Sequence, residues 1–144
     1  MTVKTRLLVG ALLSSAVMIS SSVYAEVAIV VNKDRTEDSI SLQDTKRIFL
    51  GKMSSLPSGG RTIAVDQAEG TGARAEFSEK VLGKSESQLK SYWSKKIFSG
   101  KGAPPPVMGS DVEIKTWLAE NPEGLGYIDS GTVDSSVKVL LLVK

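Results

Sequence analysis

The sequence contains neither cysteine nor histidine among its 144 residues. The lack of cysteine excludes disulfide bonds, thiolate chemistry and lipid attachment at a cleavage-site cysteine. The lack of histidine removes the commonest general base at neutral pH and, together with cysteine, the usual zinc ligands. No Gly-x-Ser-x-Gly motif is present, and a Ser-His-Asp triad cannot be built. We therefore expect no catalytic residue, no metal site and no cofactor.

The first 25 residues have the pattern of a secretory signal peptide. Lys4 and Arg6 give a positive start, residues 7–23 carry no charge, and small residues stand at Val23 and Ala25. This pattern predicts cleavage after Ala25 and export to the periplasm of a product that is not a lipoprotein. The alternative is a membrane anchor. Interspersed serines favour the cleaved signal, and we then expect no membrane insertion.

Cleavage would leave one domain, residues 26–144, which is 119 of the 144 residues. That length suits one ordinary domain with its own core. Removing Lys4 and Arg6 from the 18 basic residues leaves 16, equal to the 16 acidic residues. A nucleic-acid-binding protein needs a basic face, so this charge balance argues against nucleic acid as a partner.

Strand and helix patterns alternate along the chain. Five segments have strand patterns, at 26–31, 62–66, 107–108, 125–128 and 137–143. Four have helix patterns, at 39–50, 73–82, 85–98 and 110–120, and capping-box-like starts are predicted at Ser41, Ser85 and Ser110. This alternation predicts an α/β domain in which helices pack on a mixed sheet of about five strands.

A glycine-rich turn at 69–72 joins a strand to a helix. The first amide groups of a helix have no intrahelical partner, and the helix dipole adds positive potential there. Gly70 and Gly72 allow a close backbone approach, Thr71 offers a hydroxyl, and Arg74 offers a planar cation. The pattern indicates an anion site, or alternatively an ordinary capped helix. Ser110, which starts another helix, has the same ambiguity.

Three segments in register support this interpretation: residues 41–52, which end in Ile48-Phe49-Leu50-Gly51-Lys52, the strand-turn-helix at 63–77, and Gly124-Leu125-Gly126-Tyr127-Ile128. Together they resemble the phosphate-binding protein of phosphate ABC transporters and its short single-lobe relatives. The resemblance implies one lobe of a type 2 periplasmic-binding-protein-like fold. It also implies that phosphate or a related oxyanion is bound for ABC-type uptake.

Carried over to this chain, the family's ligand-facing positions are Gly70, Thr71, Gly72 and Ala73. The chain departs from the family pattern at two of the compared positions. Gln67 stands where the family has an arginine, and Ala73 stands where it has a threonine. Arg74 is the hypothetical replacement for the missing charge.

The resemblance covers one lobe, whereas the family closes two lobes on its ligand. A single lobe should bind an anion only with micromolar to millimolar affinity, because few hydrogen bonds offset the cost of association. A second copy, an ABC permease or a sensor protein would then complete the site. The alternative function is a periplasmic interaction or sensory accessory module with a vestigial anion site.

Overall fold

The computed structural model describes residues 26–144, so the predicted signal peptide lies outside the described residues. Its strands are β1 Val27–Asn32, β2 Ile63–Ala64, β3 Asp66–Gln67, β4 Val107–Met108, β5 Gly124–Asp129 and β6 Val137–Val143. Its α-helices are α1 Leu42–Phe49, α2 Gly72–Phe77, α3 Glu86–Phe98 and α4 Asp111–Glu120. A π-helical segment, Ser78–Leu82, continues α2, and a 3₁₀ turn, Ser130–Thr132, follows β5.

The main sheet has four strands in the order β2-β5-β1-β6. β1 lies inside it, antiparallel to β5 and to β6, whereas β2 joins β5 in parallel. All six residues of β1 are buried, which explains the uninterrupted apolar run at 27–31; the strand ends at the polar residue Asn32. Alternate side chains of a strand point to opposite faces, so this strand contributes to two apolar layers.

The helices cover both faces of this sheet. Ile29 and Val31 belong to a cluster that includes residues of α1, α2 and the π-helical segment. Ala28 and Val30 belong to a second cluster, with Ile114 and Leu118 of α4. The predicted α/β class, with helices packed on a mixed sheet, is therefore confirmed.

The prediction of about five strands in one sheet needs a correction. The strand predicted at 62–66 divides at Val65, whose N–H donates to the Leu125 carbonyl at 2.9 Å. The next N–H, that of Asp66, donates instead to the Pro106 carbonyl at 2.8 Å. β3 and β4 consequently form a separate two-stranded parallel sheet. This change of partner carries the chain out of the main sheet just before the glycine-rich turn.

Three predicted helix starts are confirmed by their caps. Ser41 accepts a hydrogen bond from the Asp44 N–H, and Ser85 forms a complete capping box with Gln88. Ser110 accepts from the Glu113 N–H, but the Glu113 carboxylate accepts from Gly109 rather than from Ser110. Within residues 26–144, no helix has the length and hydropathy that crossing a bilayer requires.

Candidate functional site

The glycine-rich turn and the start of α2 form as the sequence predicts. Gly70 has a φ of +96°, a conformation that side-chain-bearing residues rarely adopt. Thr71 is the N-cap: its Oγ1 accepts from the Arg74 N–H at 3.2 Å and donates to the Ala68 carbonyl at 3.1 Å. The Thr71 hydroxyl proton is therefore used inside the turn.

The next two amides, those of Gly72 and Ala73, make no hydrogen bond with any residue in the described range. Both residues line a shallow hollow of about 360 Å³. A Cβ added to Gly72 would have no heavy atom within 4 Å, so the surface is open there. Two main-chain donors at a helix start are thus available at the rim of a hollow.

The start of α4 lines the opposite side of the same hollow, with Ser110 and Asp111. The structure therefore brings together the two helix starts that the sequence singled out. At α4, however, side chains of the chain itself already occupy the helix start. Asp111 stands in the first turn, and its carboxylate accepts from the Asp129 N–H at 3.1 Å and from the Thr132 hydroxyl at 2.8 Å. The hollow therefore contains a negative charge.

Gln67 is almost completely buried, with 1% exposure. Its Nε2 donates to Asp111 Oδ1 at 2.6 Å and to the Tyr127 carbonyl at 2.9 Å. Both amide hydrogens are therefore used inside the protein. Gln67 connects β3 to β5 and fixes the position of Asp111.

Arg74 forms an ion-pair network with two carboxylates. Its Nε and Nη2 donate to the two carboxylate oxygens of Glu86, each at 2.8 Å. Its Nη1 donates to Asp66 Oδ2 at 2.5 Å and to the Gln67 carbonyl at 3.1 Å. Four of the five N–H groups of a guanidinium are used in this way. The cation that the sequence offered to an anion is thus already compensated inside the chain.

The network also shifts the ionisation of its members. Burial alone would lower the pKa of Arg74, but the hydrogen bonds to Glu86 and the charge of Asp66 outweigh burial and raise it. The hydrogen bond from Arg74 holds the pKa of Glu86 below its usual value, against a smaller effect of burial. Charged Arg74 and charged Glu86 therefore stabilise each other.

A cluster of aromatic rings contacts this network through Tyr127. Tyr127 is buried, its hydroxyl donates to Asp66 Oδ1, and it accepts from the Gln67 N–H at 3.2 Å. Burial, followed by the charge of Asp66, raises the pKa of Tyr127 well above its ordinary value. Phe77 stacks on the Tyr127 ring with centroids 3.8 Å apart, and Phe49 meets Phe77 edge-on at 4.6 Å.

Sequence reasoning missed four polar residues of this region: Asp66, Glu86, Asp111 and Asp129. Asp66 and Arg74 were visible on either side of the turn, eight positions apart. Glu86, however, contacts Arg74 only because the π-helical segment reverses into α3. Asp111 is in the first turn of α4, where an acidic residue is a usual helix-stabilising feature. No local signal distinguished it from that role.

No family model matches this sequence. Its fold is similar to that of a phosphate transport receptor from Vibrio cholerae, with a TM-score of 0.65 and 22% identity. It is also similar to a phosphate-bound chain from Clostridium perfringens, assigned as a phosphate ABC transporter substrate-binding protein, with a TM-score of 0.63 and 21% identity. A third match is PstS from Borrelia burgdorferi, with a TM-score of 0.60 and 11% identity.

Each of these matches covers 81% of this chain but only 44–46% of the other protein. The chain thus spans less than half the length of the phosphate-binding proteins that it resembles. At these identities the likeness shows the fold alone, and this fold corresponds to one part of each of those proteins.

Proposed function

We propose that this protein is an exported solute-binding lobe that binds phosphate or a related oxyanion for ABC-type uptake. The observation that carries the proposal is the pair of unpartnered amides, of Gly72 and Ala73, at the rim of the hollow between α2 and α4. Amides at a helix start are a common anion-binding device because the dipole and the free donors act together. The fold shared with phosphate transport proteins supports the same function.

The six residues suggested by sequence have different roles in this proposal. Gly72 and Ala73 donate main-chain hydrogen bonds to the anion. Gly70 and Thr71 hold the turn in shape, and Gln67 holds the opposite wall. Arg74 fixes the turn to Glu86 and keeps one N–H beyond those used in the network.

The carboxylate of Asp111, on the α4 side of the hollow, implies a preference among oxyanions. Within residues 26–144, Asp111 Oδ1 accepts a hydrogen bond only from Gln67, so it has a lone pair for one more donor. A fully ionised anion such as sulfate offers no proton to that carboxylate, whereas hydrogen phosphate does. The proposed ligand is therefore a protonated oxyanion. Sulfate should be repelled by Asp111.

Two amide donors and one hydrogen bond to Asp111 give limited affinity. A hydrogen bond to a charged group contributes about 1.5–3 kcal/mol, and association costs about 4 kcal/mol or more. The isolated lobe should therefore bind phosphate in the millimolar range. Tight binding then needs a second surface, and the partners that we propose for it are an ABC permease, a sensor protein or a second copy of this chain.

Replacement of Gly72 with proline should weaken phosphate binding about tenfold or more, because it removes one amide donor to a charged ligand. Proline is well tolerated at the first position of a helix. Proline also requires that the preceding residue be extended, and Thr71 is extended, with a φ of −75° and a ψ of 149°. The stability of the protein should change by no more than about 1 kcal/mol. Titration calorimetry with phosphate, alongside thermal unfolding, measures both.

The matched control is Gly72→Ala, which adds a side chain into open space and keeps the N–H. The difference between the alanine and proline variants isolates the amide donor. If both variants bind phosphate equally, the helix start is not the ligand site. Sulfate in place of phosphate tests the Asp111 argument, and equal affinity for the two anions would contradict it.

The second candidate function is a periplasmic interaction or sensory accessory module with a vestigial anion site. The carboxylates of Asp111 and Asp129 in the hollow favour it, as does the compensation of Arg74 inside the chain. The same titration separates the two functions. If the protein binds no phosphate at millimolar concentrations, the first function is excluded and the second is the one that the structure still favours.

Export is part of the proposal in both cases. Cleavage after Ala25 should yield a protein that begins at Glu26. N-terminal sequencing of the protein recovered from a periplasmic extract checks this, and a first residue other than Glu26 would contradict the predicted cleavage site.

A further inference from the structure

A second hollow, which we call the basic hollow, lies between α1 and the π-helical segment. Its volume is about 680 Å³, and four cationic residues line it: Lys46, Arg47, Lys52 and Lys80. None of the described residues that line it is acidic. It shares no lining residue with the hollow between α2 and α4. The basic hollow is therefore a separate surface of one charge sign.

Most of these cations are not committed to contacts within the protein. Lys46 and Lys52 are exposed, and their side chains make no hydrogen bond or ion pair with any residue of the described range. Arg47 has only a long ion pair with Asp44, at 3.9 Å, and its side chain is 51% exposed. Lys80 is paired with Glu76 at 2.7 Å. Three cations thus remain available to an external anion.

Capping of α1 does not account for these side chains. Cations often stand in the last turn of a helix to satisfy its final carbonyl groups. Here main-chain donors do this: Leu50 N–H donates to the Lys46 carbonyl at 3.0 Å, and Lys52 N–H donates to the Arg47 carbonyl at 2.8 Å. The Leu50 carbonyl itself accepts from the Tyr92 hydroxyl at 2.6 Å and from Lys96 Nζ at 2.9 Å.

The shape of the surface adds to its charge. Leu50 and Val81, both buried, form an apolar base, and Leu42 is 45% exposed among the other lining residues. A concave surface of one charge sign over a low-dielectric base focuses its electric field on the space above it. Lysine and arginine together are the side chains that proteins use for phosphate groups, as point charges and as a planar fork of donors.

We infer that the basic hollow is a second anion site, which binds a phosphate-bearing group. Two sources share this chemistry: a free phosphate compound and the headgroup of an anionic lipid. A free phosphate compound would use the cations alone. A lipid headgroup would also place apolar atoms against Leu42.

The test compares two variants that remove the same charge. Lys46→Gln combined with Arg47→Gln removes two cations of the basic hollow, whereas Lys33→Gln combined with Lys101→Gln removes two exposed cations elsewhere. All proteins in this comparison also carry Gly72→Pro, so that the start of α2 contributes little, and binding of glycerol 3-phosphate and of inorganic phosphate is followed by ³¹P nuclear magnetic resonance at low salt. Binding to phosphatidylcholine vesicles with and without phosphatidylglycerol is followed by flotation.

The variant of the basic hollow should bind the phosphate-bearing probe about tenfold more weakly, since each partly exposed charge contact contributes roughly two- to fivefold. The control variant should stay within about twofold of the unchanged protein. If the variant of the basic hollow loses binding only to vesicles, the ligand is a lipid headgroup. If it loses binding only to the soluble probes, the ligand is a free phosphate compound. The inference is overturned if both variants lose the same amount of binding, or if neither variant loses any.

This inference does not depend on the proposed function. Gly72→Pro leaves the basic hollow unchanged, and the double glutamine variant leaves the start of α2 unchanged. Each site can therefore fail its test while the other passes.

Discussion

Replacement of Arg74 with methionine should cost about 3 kcal/mol of folding stability, which corresponds to a fall of about 10 °C in the unfolding temperature. Removal of the guanidinium leaves Asp66 and Glu86 close together without a compensating charge. Their side chains are only 12% and 29% exposed, so water compensates them poorly. The loss lies at the low end of the range for broken buried pairs because Glu86 retains some solvent contact.

The matched control is Arg61→Met. Arg61 is 76% exposed and pairs with Glu123 at 4.0 Å, so its loss should change stability by no more than about 0.5 kcal/mol. Thermal unfolding of both variants at neutral pH gives the comparison. If the two variants unfold at the same temperature, the Arg74 network does not stabilise the fold.

The pH dependence gives the same experiment a second readout. The folded-state pKa of Glu86 is lowered from 4.5, so its contribution is fully present above about pH 4.5. The contribution is lost as the pH falls below 4.5 through the folded-state pKa. In Arg74→Met, the fall in unfolding temperature below pH 4.5 should therefore be smaller by the contribution of Glu86. Arg35 lowers the pKa of Glu37, so Glu37 should contribute the same loss of stability at acid pH in both proteins.

Replacement of Phe77 with alanine should destabilise the protein by about 4 kcal/mol, or about 15 °C in unfolding temperature. The side chain is fully buried, and its ring stacks on Tyr127 and meets Phe49 edge-on. The truncation leaves a cavity directly below the Asp66–Arg74 network. Phe77→Leu, which keeps most of the volume, should cost less than half as much.

Phe98→Ala is the matched control for this second prediction. Phe98 is 93% exposed, so its truncation removes little buried area and should change stability by no more than about 0.5 kcal/mol. Urea or thermal unfolding measures all three variants. Equal losses for Phe77→Ala and Phe98→Ala would show that the aromatic cluster is not a main contributor to stability.

Several elements were predictable because their signals are local. The apolar run at β1, the serine caps and the glycine-rich turn each depend on residues within a few positions of one another. The fold class follows from the alternation of such signals. The division of the second strand at Val65 was not predictable, since it depends on which carbonyl group lies beside each N–H.

The candidate site was likewise predictable only in part. Its position at the start of α2 was predicted, and a capped helix was the alternative interpretation of the same turn; that Thr71 uses its hydroxyl as the cap was not predicted. The charge balance was not, because Arg74 contacts Glu86 twelve residues later and Asp111 reaches Gln67 across 44 residues. Neither contact follows from spacing along the chain.

By itself the sequence determined the α/β class, the helix caps and the turn before α2, because hydrophobic periodicity and capping act within a few residues. The tertiary structure alone decided what surrounds that turn. It brought the start of α4 to the same hollow, placed Asp111 in it, and used Arg74 for the protein's own carboxylates. These outcomes depend on distances between segments far apart in the chain, and Coulomb energies and hydrogen bonds are set by those distances.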